Sequence, residues 1–140
     1  MTETTGTAAS SSAATVPDGP VQLVVPADAR YLRLARLTVA GLAGDLGYGV
    51  DAIEDLRIAV DELSAAVIED APPGASLTVT YRGDGAALVI EGRCDGAVVD
   101  PPELHRVAQE LLAMLADEHE VGSDGDGRTF RLVKRLPQER

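Results

Sequence analysis

Residues 51–69, DAIEDLRIAVDELSAAVIE, place apolar side chains at Ile53, Leu56, Val60, Leu63 and Val67, in steps of 3, 4, 3 and 4. That is the period of one helix face turned toward a core. Asp51, Glu54, Asp55, Asp61 and Glu69 take the opposite side. Asp51 and Glu54 also put negative charge at the helix N-terminus, where the dipole favours it. The run APPG at 71–74 stops the helix, since proline can neither donate the next hydrogen bond nor clear the preceding turn.

Working outward, residues 28–47, DARYLRLARLTVAGLAGDLG, predict an earlier helix. Asp28 is suited to cap it. Tyr31, Leu34/Ala35, Thr38/Val39, Leu42/Ala43 and Leu46 form its stripe, and Gly47 and Gly49 stop it. VQLVVPA at 21–27 alternates as a first strand, ended by Pro26. SLTVTYR at 76–82 and ALVIEGRC at 87–94 read as two strands joined through the GDG at 83–85. PPELHRVAQELLAMLADEHEV at 101–121 predicts a third helix, with Leu104, Val107/Ala108, Leu111/Leu112 and Leu115 in its stripe. SDGDG at 123–127 is a turn. RTFRLVKRL at 128–136 is a last strand, on which Phe130, Leu132 and Lys134 face one way. The order β-α-α-β-β-α-β predicts an α+β two-layer sandwich, a mainly antiparallel sheet with helices on one face.

The chain has 140 residues, of which 45% are hydrophobic and only 3% aromatic. Its core must therefore be aliphatic. The expected domain spans 20–137, behind a disordered Ser/Thr/Ala-rich tail at 1–19 that cannot offset its ordering entropy; 138–140 form the C-terminal end. The net charge of −11 argues against direct nucleic-acid binding, which needs clustered Lys and Arg. No apolar run reaches the roughly 20 residues that cross a bilayer, and the first residues show no secretory pattern. The expectation is a cytoplasmic protein with no membrane partner. One cysteine, Cys94, excludes an internal disulfide and reads as a small buried hydrophobe.

Few residues point to chemistry. His105 and His119 sit on or near the polar side of the third helix, and the run Glu118-His119-Glu120 reads as a solvated helix end. Neither G-x-x-x-x-G-K-[ST] nor G-x-G-x-x-G occurs. Glu62, beside the buried stripe of the second helix, is a candidate general base or a solvated side chain. Arg30, Arg33 and Arg36, at i, i+3 and i+6, spread over about 120° of the first helix. On so acidic a chain they are either a protein-docking face or partners for the protein's own acids, such as Asp55 and Glu62.

The stretches LARLTVAGL, DLRIAVDELSAAVI and GRTFRLVKRL together resemble the RsbW/SpoIIAB-type anti-sigma factors. These are serine-protein kinases of the histidine-kinase-like ATPase (Bergerat) fold, and the resemblance covers residues 21–136. It implies ATP and magnesium held by three motifs, each altered here. In the E-x-x-x-N box Glu62 keeps the base position, but the magnesium-holding Asn is Ala66, whose methyl cannot ligate a hard cation. In D-x-G-x-G the adenine-reading Asp has become Gly92 and the first Gly is Cys94; Gly96 is retained. The glycine-rich lid corresponds to Val98–Leu111, which contains no glycine, so a truncated lid is expected. Phosphoryl transfer depends on positioning and electrostatics, so the altered motifs imply a lost or weakened kinase and no cofactor. A functioning kinase would need Glu62 as base and Asp61 or Asp95 as a substitute magnesium ligand.

The resemblance also implies a first-helix arginine that contacts the sigma factor and, in competition, the anti-anti-sigma factor. Arg36 matches that position, with Arg33 and Arg30 beside it. A homodimer is implied as well. The expected function is therefore an anti-sigma factor that sequesters a sigma factor until an anti-anti-sigma partner releases it, the alternative being an active serine-protein kinase. A small acidic adaptor of the same fold is a third reading.

Overall fold

A computed structural model describes residues 19–96 and 100–136. The expected tail at 1–19 lies, but for Gly19, outside the described residues, as does the C-terminal end. Strand β1 (Val21–Pro26) leads through a 3₁₀ turn (Ala29–Tyr31) to helix α1 (Leu32–Asp45) and helix α2 (Val50–Ile68). Strands β2 (Ser76–Asp84) and β3 (Ala87–Asp95) follow, then helix α3 (Arg106–Leu115), β4 (Glu118–Ser123) and β5 (Gly127–Arg135). The strands form one five-stranded sheet in the order β1-β2-β3-β5-β4, with every neighbouring pair antiparallel. The α+β sandwich expected from the pattern is the observed class.

The period-2 alternation sorts the two sheet faces. Leu77, Val79 and Tyr81 of β2, Leu88, Ile90 and Cys94 of β3, and Phe130 and Leu132 of β5 are buried under the helices. Ala35, Val39 and Ala43 of α1 and Leu56, Val60, Leu63 and Val67 of α2 complete the core. Each fully buried Leu or Val in this layer contributes roughly 1.5–3 kcal/mol. The other sheet face carries Thr78, Thr80, Glu91, Arg93 and Arg131, as expected of an antiparallel sheet with one wet side.

Polar ties fix the helices on the sheet. The Tyr81 hydroxyl donates to the Ala35 carbonyl of α1 at 3.1 Å. The Tyr48 hydroxyl, between α1 and α2, donates to the Lys134 carbonyl at 2.6 Å. Lys134 does face the helix layer, as the strand pattern predicts: its Nζ donates to Asp55 of α2 at 3.2 Å and to Leu115 O, at the end of α3, at 2.8 Å.

Two local expectations are corrected. The third helix does not run over 101–121 but only over Arg106–Leu115, and residues 118–123 are a strand. The element order is thus β-α-α-β-β-α-β-β. Here β4 pairs with β5 around the Asp124–Asp126 turn, His119 opposite Leu132 and Val121 opposite Phe130; the sheet gains more from a fifth strand than the helix gains from two further turns. The first helix also starts late. Asp28 accepts from the Arg30 amide at 2.9 Å and so caps the 3₁₀ turn, not α1 itself.

Candidate functional site

Two places bear on function: the corner where the end of α2 meets the end of β3, and the outer face of α1.

At the corner, Glu62 and Ala66 lie one turn apart on α2, both half-buried. Glu62 makes no ion pair among the described residues. Gly92 faces the helix layer directly opposite Phe130 in the β3–β5 register. A Cβ placed on Gly92 would overlap the Phe130 ring, so any larger residue would have to push that buried ring aside, and the ring fills the space that a side chain there would need. Farther along, Gly96 has φ +148, and Pro72 Cδ lies 2.8 Å from where its Cβ would be. Arg128, at the start of β5, donates to Glu69 O and Asp100 O, each at 3.1 Å, and so straps the end of α2 to the segment leading into α3. Among Val67, Glu69, Pro72, Cys94, Gly96 and Arg128 there remains a cavity of about 10 Å³, room for about one water.

At two of the motif positions, Ala66 and Gly92, the side chains do not fit a magnesium nucleotide. Ala66 offers no oxygen to a hard cation. Gly92 offers no side-chain acceptor to an adenine amino group, and a larger residue there would have to displace the Phe130 ring. Of the two carboxylates considered as substitute ligands, Asp61 contacts Arg36 across an exposed ion pair, and Asp95 Oδ1 accepts from the Ser76 amide at 2.7 Å. Residues 97–99 of the lid segment lie outside the described residues. Cys94 is buried; desolvation, with the Asp95 carboxylate beside it, pushes its thiol pKa up. That is an inert thiol, in keeping with the sequence reading.

The three arginines of the α1 region diverge. Arg30 is not on the helix but on the 3₁₀ turn, because Asp28 holds its amide and its guanidinium, the latter at 3.0 Å. That hydrogen bond keeps the Asp28 carboxyl below its usual range. The Arg30 guanidinium also lies 5.6 Å from the Tyr31 ring centroid. Arg36 Nη1 contacts Asp61 Oδ1 across the α1–α2 seam at 2.5 Å. Neither acid suggested by the sequence, Asp55 or Glu62, is its partner; Asp55 is taken by Lys134. Arg33 is exposed and forms no ion pair among the described residues. Next to Arg36, Leu37 is 61% exposed.

His105 and His119 are not on one helix face. His105 sits at the start of α3 and His119 on β4, and both line an open concavity of about 560 Å³ with Glu103 and Glu120. Among the described residues no group of three or more His, Cys, Asp or Glu could hold a metal ion. No helix there is long and apolar enough to cross a membrane.

Phe130 and Arg128 at the corner, and Asp61 at the seam, owe their roles to contacts that the sequence reading missed. An aromatic opposite a strand glycine is a recognisable signal, but only once the strand register is known.

Family models give no match. Proteins called serine-protein kinase RsbW from Bacillus thuringiensis, Bacillus cereus and Bacillus anthracis are each 37% identical over 51 residues. The matched stretch is 36% of this chain and spans about a third, 32%, of those relatives' length. The crystal structure of the RsbU and RsbW domains of Rv1364c from Mycobacterium tuberculosis superposes with a TM-score of 0.64 at 18% identity, over 88% of this chain and 34% of that one. At that identity the superposition speaks for the fold, which agrees with the histidine-kinase-like ATPase architecture expected. The resemblance to RsbW-type proteins carried by the sequence is thus supported by a segment shared with proteins of that name, and the expected fold by the superposition.

Proposed function

We propose that this chain is a cytoplasmic anti-sigma factor that binds and sequesters an alternative sigma subunit, is released by an anti-anti-sigma partner, and has lost its kinase activity. The observation that carries the reading is the Phe130 ring seated against Gly92, where the family resemblance calls for an adenine-reading carboxylate. Ala66 in the metal position and the Pro72 and Arg128 closure of the corner support it. Arg33, Arg36 and Leu37 meanwhile remain on the outside of α1, where a protein partner can reach them. Without phosphorylation, something other than this chain's own catalysis must reset the switch.

The test is co-expression with the alternative sigma factors of the same genome. Wild type retains one of them, and Arg36→Glu retains it at least about thirtyfold less well, since reversing a central interface arginine costs at least ~2 kcal/mol. Equal retention of that sigma factor by both would refute the docking face, and retention of none would refute the sequestering role. Light scattering tests the implied homodimer.

A second reading is an active serine-protein kinase. Glu62, retained and without an ion pair among the described residues, favours it, and the Bacillus relatives bear that name. Calorimetric titration with magnesium and ATP separates the two readings: micromolar binding supports the kinase, and no heat supports the sequestering protein.

A further inference from the structure

The Arg36–Asp61 pair has a consequence for what the α1 face accepts. Resting on the docking role proposed above, we infer that Asp61 is an in-chain placeholder for a partner's carboxylate, and that the face of Arg33, Arg36 and Leu37 takes an amphipathic segment presenting an acidic residue next to an apolar one.

Four observations converge. The protein carries a net charge of −11, yet this face offers two arginines, and Arg33 is exposed without an ion pair among the described residues. Arg36 is already bound by a carboxylate, the chemistry its planar fork prefers. That contact is half-open to water, with side-chain exposures of 35% for Arg36 and 40% for Asp61. A pair so exposed is weak and screened by salt, so it can be exchanged for an incoming acid. Leu37, the following residue, is 61% exposed and supplies the apolar contact that sets a docking site apart from a charged surface. Asp61 holds the Arg36 guanidinium across the α1–α2 seam, so a partner must displace one carboxylate to take it. Asp61 therefore lowers affinity and selects for acidic partners.

The experiment uses the full chain and a defined probe: a short amphipathic Leu/Glu helical peptide and its Leu/Gln counterpart, titrated while backbone and Arg side-chain NMR signals are followed. The Leu/Glu peptide shifts Arg33, Arg36 and Leu37; the Leu/Gln peptide binds about two- to fivefold more weakly for each ion pair lost. Asp61→Asn tightens Leu/Glu binding by about two- to fivefold, the equivalent of one exposed ion pair, and the gain shrinks as salt rises. Arg36→Gln abolishes the gain, so that Arg36→Gln/Asp61→Asn binds no better than Arg36→Gln alone. A merely structural Asp61 would give the opposite sign, with Asp61→Asn weakening binding alongside a lower melting temperature. That result overturns the inference, as does equal binding of the two peptides or a shift pattern away from α1. Because the probe is not a sigma factor, failure of the docking chemistry is distinguishable from failure of the sigma-factor assignment.

Discussion

Glycine sits at the heart of both the α2–β3 corner and the α1 face, and it means opposite things in the two places. At Gly92 a methyl group would overlap the Phe130 ring; at Gly41, on the exposed side of α1, nothing lies within 4 Å of an added Cβ. The corner has been closed by its own side chains, with Phe130 over Gly92, Pro72 against Gly96 and Arg128 across the mouth. The α1 face has been left open. A fold of this kind offers two places to bind something. Here the inner one is filled by protein and the outer one is not.

The sharpest way to break this contrast is Gly92→Asp, which puts a carboxylate where the family resemblance calls for one. It forces an extra side chain and a charge against a buried ring, so a loss of at least about 3 kcal/mol is expected. Urea unfolding reads it. If Gly92→Asp is as stable as wild type and takes up magnesium-ATP, the corner is open and the comparison fails.

Next in size is an alkaline loss of stability, which tests how firmly the helices are pinned from behind while α1 stays open in front. Burial raises the pKa of both the Tyr81 and the Tyr48 hydroxyls above the ordinary 10.0. In the folded protein they therefore keep their protons past the pH at which an unfolded tyrosine ionises. Their contribution is intact below about pH 10 and is lost as pH rises beyond it, by up to about 1.4 kcal/mol per pH unit for each. Tyr81→Phe should remove its share of the slope, and an unchanged slope would show that Tyr81 does not hold α1.

Arg128→Ala should cost about 1–2 kcal/mol by removing charge-assisted hydrogen bonds to Glu69 O and Asp100 O. Its signature is local: hydrogen exchange should quicken around residues 100–105 and not in α1. The smallest effect has the opposite sign. Gly41→Ala should stabilise the protein by about 0.5–1 kcal/mol, since alanine is the better helix former and meets no obstacle. Thermal melts of Gly41→Ala and Gly92→Ala side by side give one rise and one fall if the two regions differ as described.

Much of the architecture was legible because helix and strand periods are local properties. The Ile53–Val67 stripe, the alternation of Leu77, Val79 and Tyr81, and even the inward-facing Lys134 could be read from spacing alone. The 118–123 strand was not legible. Glu118-His119-Glu120 continues an amphipathic run as plausibly as it begins an edge strand, and only pairing with β5 decides between them. The altered motif positions Ala66, Gly92 and Cys94 could be named, yet what fills their place could not.

The sequence by itself determined which segments are amphipathic and how acidic the chain is. These depend on neighbours within a turn or a pleat. Tertiary structure alone decided that Phe130 closes over Gly92, that Arg36 chooses Asp61 over Asp55 or Glu62, and that Arg128 straps the corner. Those contacts join residues tens of positions apart. Strand register and helix facing set them, and both are fixed only when the whole core packs at once.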